Sequence, residues 1–241
     1  MTSIRSFLQR LRHDPALVRA VPFVVFLVLT FVQDKFGAVG RYWIYFAKTI
    51  AGAGMIWMVR PFIQEMRWKR GWAAVAVGIG VFVLWVGLDD YYPKQGELYV
   101  RLGLSKPTSA AEQEAAIWNP HAQFGQGSAL AWFFIFARLL GSSLVVAPLE
   151  EVFYRSFLYR YAARLDFLSL PLGRFAWFPF LLTSVLFGFE HAQWLAGILC
   201  GFAFQGLVCW KKRLGDAITA HAITNLLLGL WVVTRGEWKF W

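Results

Sequence analysis

The sequence is poor in charge and in cysteine, and each shortage excludes something. Asp, Glu, Lys and Arg together make up only 16% of the 241 residues, against about 25% in a typical soluble domain. A chain this short of charge does not present water-facing polarity on every side. The only cysteines are Cys200 and Cys209, both in one apolar run. On a helix they stand roughly 13 Å apart along the axis, too far for a disulfide. Two thiols also make no zinc site. There is no internal repeat, no low-complexity tract and no His-Glu-x-x-His zinc motif, and the chain is expected to use no cofactor and no metal.

Apolar residues fill the space. They account for 58% of the chain, the mean hydropathy is +0.49, and there are 13 Trp and 23 Phe. Aromatic rings suit both buried packing and the membrane interface. The formal net charge of +10 would suggest nucleic acid in a soluble chain. Here the basic residues sit in short clusters between apolar runs, so they read as topology signals, and no nucleic-acid partner is expected.

Seven regions look able to cross a bilayer, which needs about 20 apolar residues per helix: 16–33, 42–59 (with Lys48 inside it), 71–88, 128–163, 175–190, 194–210 and 217–234. The fourth would span roughly 54 Å as one straight helix, and Pro148 is expected to break or kink it. The basic start, with Arg5, Arg10, Arg12 and Arg19, leads into the first run without a small-x-small cleavage pattern, so an uncleaved first span is expected. Residues 89–127 read as one polar loop with a short helix at 110–118. The fold class is therefore all-α, a polytopic membrane helix bundle of seven or eight spans. It forms one integrated membrane domain in two parts, 1–127 and 128–241.

Positive charge orients such a chain. The N-terminus and the segments 60–70 (Arg60, Arg67, Lys69, Arg70), 155–174 and 211–213 are basic, whereas 89–127 carries five acids against three Lys and Arg. Seven crossings with a cytoplasmic N-terminus place every strongly basic segment inside.

Ionisable residues within membrane helices are costly unless paired or hydrated, so each is a functional candidate. Pro148-Leu149-Glu150-Glu151-Val152-Phe153-Tyr154-Arg155 sets two carboxylates in an apolar stretch. Glu151 and Arg155 are four apart and face each other on a helix. Glu150 points about 100° away and lacks that partner. Carboxylates in unlike environments suit different proton-transfer tasks. Pro148 fits a first helical turn, whose dipole favours negative charge. The plainer alternative is a helix start with ordinary acids at the membrane surface. Phe187 and His191 stand one helical turn apart beside a tight turn at Ala192–Gln193, and an interfacial His bonded to backbone is the alternative there. His221 and Asn225 share one face of an uncharged run. Such donors suit a developing oxyanion, although polar pairs also glue membrane helices together.

The ordered motifs Glu-Glu-x-x-x-Arg, Phe-x-x-x-His and His-x-x-x-Asn, spread over 128–234, resemble the CAAX prenyl endopeptidases and their bacterial membrane-protease relatives. The segment Leu-Phe-Gly-Phe-Glu-His-Ala-Gln-Trp-Leu-Ala-Gly, Asn119-Pro120 and the terminal Trp238-Lys239-Phe240-Trp241 look like the subgroup found beside exosortase systems. The resemblance implies a catalytic helical core in 128–241 that hydrolyses a peptide bond of a membrane-associated substrate. It implies Glu150 as the water-activating base, His191 on the same water, His221 and Asn225 at the oxyanion, and Glu151 and Arg155 in support. Membrane lipid, a membrane-tethered peptide and exosortase-system proteins are the implied partners, and the bacterial inner membrane is the implied location. Ser156 stands where many relatives have Gly, with little consequence expected. Three other readings stay open: a non-catalytic partner or scaffold of a sorting pathway, a zinc-dependent protease with His191, His221 and Glu150 as ligands, and a transporter. Intramembrane acids also mark ion paths, although no inverted repeat supports that last reading.

Overall fold

The computed structural model describes residues 14–68 and 71–241. The basic residues Arg5, Arg10, Arg12, Lys69 and Arg70 lie outside the described residues. No strand occurs among those described, and the regular structure is helical.

Helix α1 (Pro15–Gln33) starts where Asp14 accepts from the amides of Ala16 and Leu17, with Pro15 preset in its first turn. The chain reverses through Asp34–Phe36 and Gly37, whose φ of +76° suits a residue without Cβ. Helix α2 (Gly37–Val59) then returns against α1. Helix α3 (Trp72–Leu88) crosses the bundle next. The polar loop holds three short helices: α4 (Gln95–Arg101), α5 (Ala110–Ala116) and α6 (Pro120–Phe124). Helix α5 lies inside the segment expected to be helical, and Ser109 with Glu112 closes a capping box at its start. Helices α7 (Ala129–Ala163), α8 (Trp177–Phe189), α9 (Trp194–Lys211) and α10 (Leu214–Arg235) complete the bundle.

Among the described residues, five continuous helical stretches are long and apolar enough to cross a membrane, and α8 is a shorter apolar helix. The first of the five, Pro15–Phe62, is the α1–α2 pair folded on itself. The architecture is that of a helical membrane bundle. Its outer face carries large apolar side chains, among them Phe31, Trp57, Trp177 and Trp210, which lipid solvates without cost.

Contacts define two ends. At one, Lys239 bridges Asp89 at 2.9 Å, the Arg41 guanidinium caps α5 by donating to the Ala115 carbonyl, and the Gln95 amide donates to the Ala192 carbonyl. At the other, Arg19 and Arg160 both bridge Glu65, at 2.8 and 2.7 Å. The seven long helices run alternately between these ends.

Helix α7 corrects two expectations. Pro148 neither breaks the helix nor begins one. The helix runs through it, widened into π turns at Ser142–Val146 and Val152–Leu158. Pro148 has no N–H to donate, and the upstream π turn, in which the Ala147 amide reaches back to the Ser142 carbonyl, absorbs that loss. Glu150 and Glu151 therefore sit in mid-helix, away from any helix dipole terminus.

Ser156 corrects a third. Its hydroxyl donates to Glu65 Oε1 at 2.6 Å and accepts from Arg19 Nε at 3.0 Å and Arg160 Nη2 at 2.9 Å. Glycine could make none of these bonds, so this serine is the hub of a buried cluster tying α1, Glu65 and α7.

Candidate active site

Glu151 and Arg155 are separated by one turn of the second π segment. Arg155 Nε lies 3.2 Å from Glu151 Oε2, and both side chains are shut off from solvent. The rest of the guanidinium finds aromatic faces, with Cζ 4.3 Å from the Phe187 ring centroid and 5.9 Å from that of Phe204. The other Glu151 oxygen, Oε1, accepts from His221 Nδ1 at 2.9 Å. One carboxylate thus joins α7 to α10 while its charge is balanced by Arg155.

His221 is stacked on Phe204 at 5.0 Å and meets Phe187 edge-on at 5.8 Å. With Nδ1 tied to Glu151, its remaining ring nitrogen, Nε2, lies 3.8 Å from Glu150 Oε2. Glu150 is buried, and among the described residues its Oε2 has no hydrogen-bond partner. Glu151 Oε2 and both Arg155 Nη atoms are likewise without a hydrogen-bond partner. They belong to one ion pair, whereas among the described residues no Lys or Arg forms a salt bridge with Glu150.

His191 arrives from α8. That helix ends at Phe189, and the tight turn that follows lets His191 Nδ1 donate back to the Phe187 carbonyl at 2.8 Å. Its ring packs 4.9 Å from Phe187 and 5.3 Å from Trp85. The Phe187 ring therefore stands between the two imidazoles, and Nδ1 of each is engaged. Asn225, one turn beyond His221 on α10, donates to the Ser142 carbonyl at 2.9 Å, inside the first π turn.

Glu150, His191, His221 and Asn225 all line one cavity of about 800 Å³. Glu151 and Arg155 do not line it; they sit behind it and hold His221. All six residues picked out in the sequence are brought together. The cavity also holds two the sequence reading passed over. The Tyr154 hydroxyl donates to Glu190 Oε2 at 2.8 Å, and both residues line the cavity. Glu190 stands next to His191 in the chain, and an acid at the end of an apolar run was the available signal. For the alternative zinc set of His191, His221 and Glu150, among the described residues no three His, Cys, Asp or Glu side chains converge as metal ligands.

The α8–α9 hairpin sets the position of His191. A Cβ on Gly188 would meet the Trp194 carbonyl oxygen at 2.7 Å, and one on Gly201 would meet Ser184 Cα at 2.8 Å. These glycines let the two backbones touch, as small residues do between membrane helices.

No curated protein and no solved structure matches the chain. Residues 128–227, which include all six motif residues, match the family model described as Rce1-like, type II CAAX prenyl endopeptidase Rce1-like.

Proposed function

We propose that the cavity is the active site of an intramembrane endopeptidase that uses Glu150 as its base. The observation that carries this is that Glu150, a buried carboxylate with an unpartnered oxygen, lines one cavity together with the imidazoles of His191 and His221. The family match over 128–227 supports the reaction class.

A water held between Glu150 and His191 Nε2 gives a proton to the Glu150 carboxylate. Its oxygen bonds to the peptide carbonyl carbon, and the carbonyl electron pair moves onto oxygen. His221 Nε2–H and the second Asn225 N–H stabilise that oxyanion. Collapse breaks the C–N bond as the proton passes from Glu150 to the leaving nitrogen. Glu151, neutralised by Arg155, keeps His221 oriented through this sequence, and the Phe187 ring keeps the imidazoles apart.

The substrate is a membrane-tethered peptide. The resemblance of the 186–197 segment and the terminal aromatic run to exosortase-associated relatives points to a sorting pathway in a bacterial inner membrane. The charge asymmetry of the two ends supports seven crossings with a cytoplasmic N-terminus.

The test is Glu150→Gln in purified, folded protein presented with a library of membrane-anchored peptides. Turnover should fall by about 10²–10⁴-fold, and undiminished turnover sinks the mechanism. Stoichiometric zinc in the active protein, with activity lost on chelation, would replace it by the metal-dependent reading.

A further inference from the structure

The cavity extends well past Glu150 to α1 and α2, where its wall carries two cations. Lys48 is 4% exposed. Its Nζ donates to Thr30 Oγ1 at 2.7 Å and lies 4.9 Å from the Phe26 ring centroid and 5.0 Å from that of Tyr45. Arg138 is packed on the same tyrosine, with Cζ 5.1 Å from the Tyr45 ring centroid, 4.5 Å from that of Trp118 and 5.4 Å from that of Trp241.

Among the described residues neither cation forms a salt bridge, and the Arg138 guanidinium makes no hydrogen bond. Asp34, whose charge reaches both, is exposed and bridges neither. Arg138 keeps its charge in any protein environment and offers five N–H donors in a fork that matches an oxyanion. Two cations without acids are expensive in an apolar bundle. Aromatic faces offset part of that cost, but they satisfy no N–H donor along its own axis. The opposite part of the same cavity holds Glu150 and Glu190, so the cavity is polarised along its length, with apolar walls such as Phe26, Val146 and Leu228 between.

We propose that Lys48 and Arg138 form an anion subsite that takes a carboxylate of the bound peptide and so sets which bond reaches Glu150. This rests on the cavity being the peptide site proposed above. Arg138 precedes Glu150 by 12 residues on α7, roughly 18 Å along the axis. An extended peptide covers that span in about five residues. The carboxylate is therefore recognised a few residues away from the bond cleaved, and these two side chains are positioning residues rather than catalytic ones.

The experiment measures binding without turnover. Full-length Glu150→Gln protein in phosphatidylcholine nanodiscs is titrated with a fluorescent N-palmitoyl hexa-alanine peptide ending in a free carboxylate, and with its carboxamide twin. The carboxylate form should bind about tenfold or more tightly, as expected for charge-assisted hydrogen bonds in a partly dry site. Adding Arg138→Gln or Lys48→Met should remove that preference and leave carboxamide binding unchanged. Equal binding of the two peptides overturns the proposal, and this comparison needs no variant at either cation. Repeating it in phosphatidylglycerol nanodiscs separates the two sources of anion. A preference that persists supports a peptide site. A preference abolished by the anionic lipid assigns the cations to headgroup phosphate and overturns it. A preference seen in a chain that never cleaves any peptide overturns only the proposed activity. Cleavage without a preference overturns only the subsite.

Discussion

At the scale of single residues, the decisive pair is Glu151 and Arg155. Both are sealed from solvent, so removing one leaves the other charged and uncompensated. Arg155→Met keeps most of the volume but not the charge, and should lower stability by about 3–5 kcal/mol. Unfolding of the detergent-solubilised protein, followed by helical circular dichroism, checks this. The same variant frees Glu151 from its neutraliser and should disturb His221 through the 2.9 Å bond between them.

Glu65 gives a pH dependence at the same scale. Burial pushes its carboxyl up, but the Ser156 hydrogen bond and the Arg19 guanidinium outweigh this and hold it below the ordinary carboxylate range. A group whose affinity for protons falls on folding stabilises the fold above its unfolded value. That stability should be fully present above the ordinary carboxylate range and lost as pH falls through the depressed folded value. Glu65→Gln should flatten this part of a stability-against-pH curve. An unchanged acid limb would show that the cluster contributes nothing.

At the scale of elements, α7 and the α8–α9 hairpin do different work. Between the two π turns, neighbouring carboxylates at 150 and 151 flank the same imidazole with different tasks: Glu150 lines the cavity near His221 Nε2, and Glu151 holds His221 Nδ1 and Arg155. The hairpin sets where His191 stands. Gly188→Ala forces a Cβ against the Trp194 carbonyl oxygen, and because the obstacle is backbone the helices must part. The expected cost is about 1–3 kcal/mol, with His191 displaced. Peptide turnover should fall further than thermal stability does, and a fully active Gly188→Ala variant would show that the hairpin spacing does not matter to the site.

At the scale of the whole molecule, the two ends of the bundle differ in charge and in construction. The end built from 89–127 and the C-terminal aromatic run is held by Asp89, Lys94 and Lys239. The other end carries Arg19, Arg60, Arg67, Arg164, Arg174 and Lys211–Arg213 against few acids. With the proposed orientation, a thiol at exposed Ser105 should react with an impermeant reagent from outside intact cells. A thiol at exposed Ser169 should react only after the membrane is opened. The reverse pattern would invert the topology.

The all-helical bundle, and the set of intramembrane polar residues that gather around one cavity, were legible in the chain because they depend on local properties. Apolar runs of spanning length can bury their backbone polar groups only as helices. Intramembrane Glu, His, Arg and Asn are too costly to sit there without partners. The heights of those residues in the bundle were not legible. Counting from residue 165 leaves His221 nearer the basic end than Glu151. In the structure the Tyr159 hydroxyl donates to the Arg174 carbonyl, and Gly173 packs on Lys212. The common level is therefore Tyr159 and Lys212, and 160–163 project beyond it. Glu151 and His221 then stand roughly 12 and 13 Å above that level, which is why they meet. The π turns, the Ser156 hub and the enclosure of Lys48 and Arg138 by aromatic rings were equally hidden. Each depends on which side chains from distant segments arrive at the same depth, and helix periodicity does not encode that. The sequence by itself determined which groups must find partners in an apolar bundle. Only the packing of seven helices decided which partners they found and which atoms, Glu150 Oε2 among them, found none.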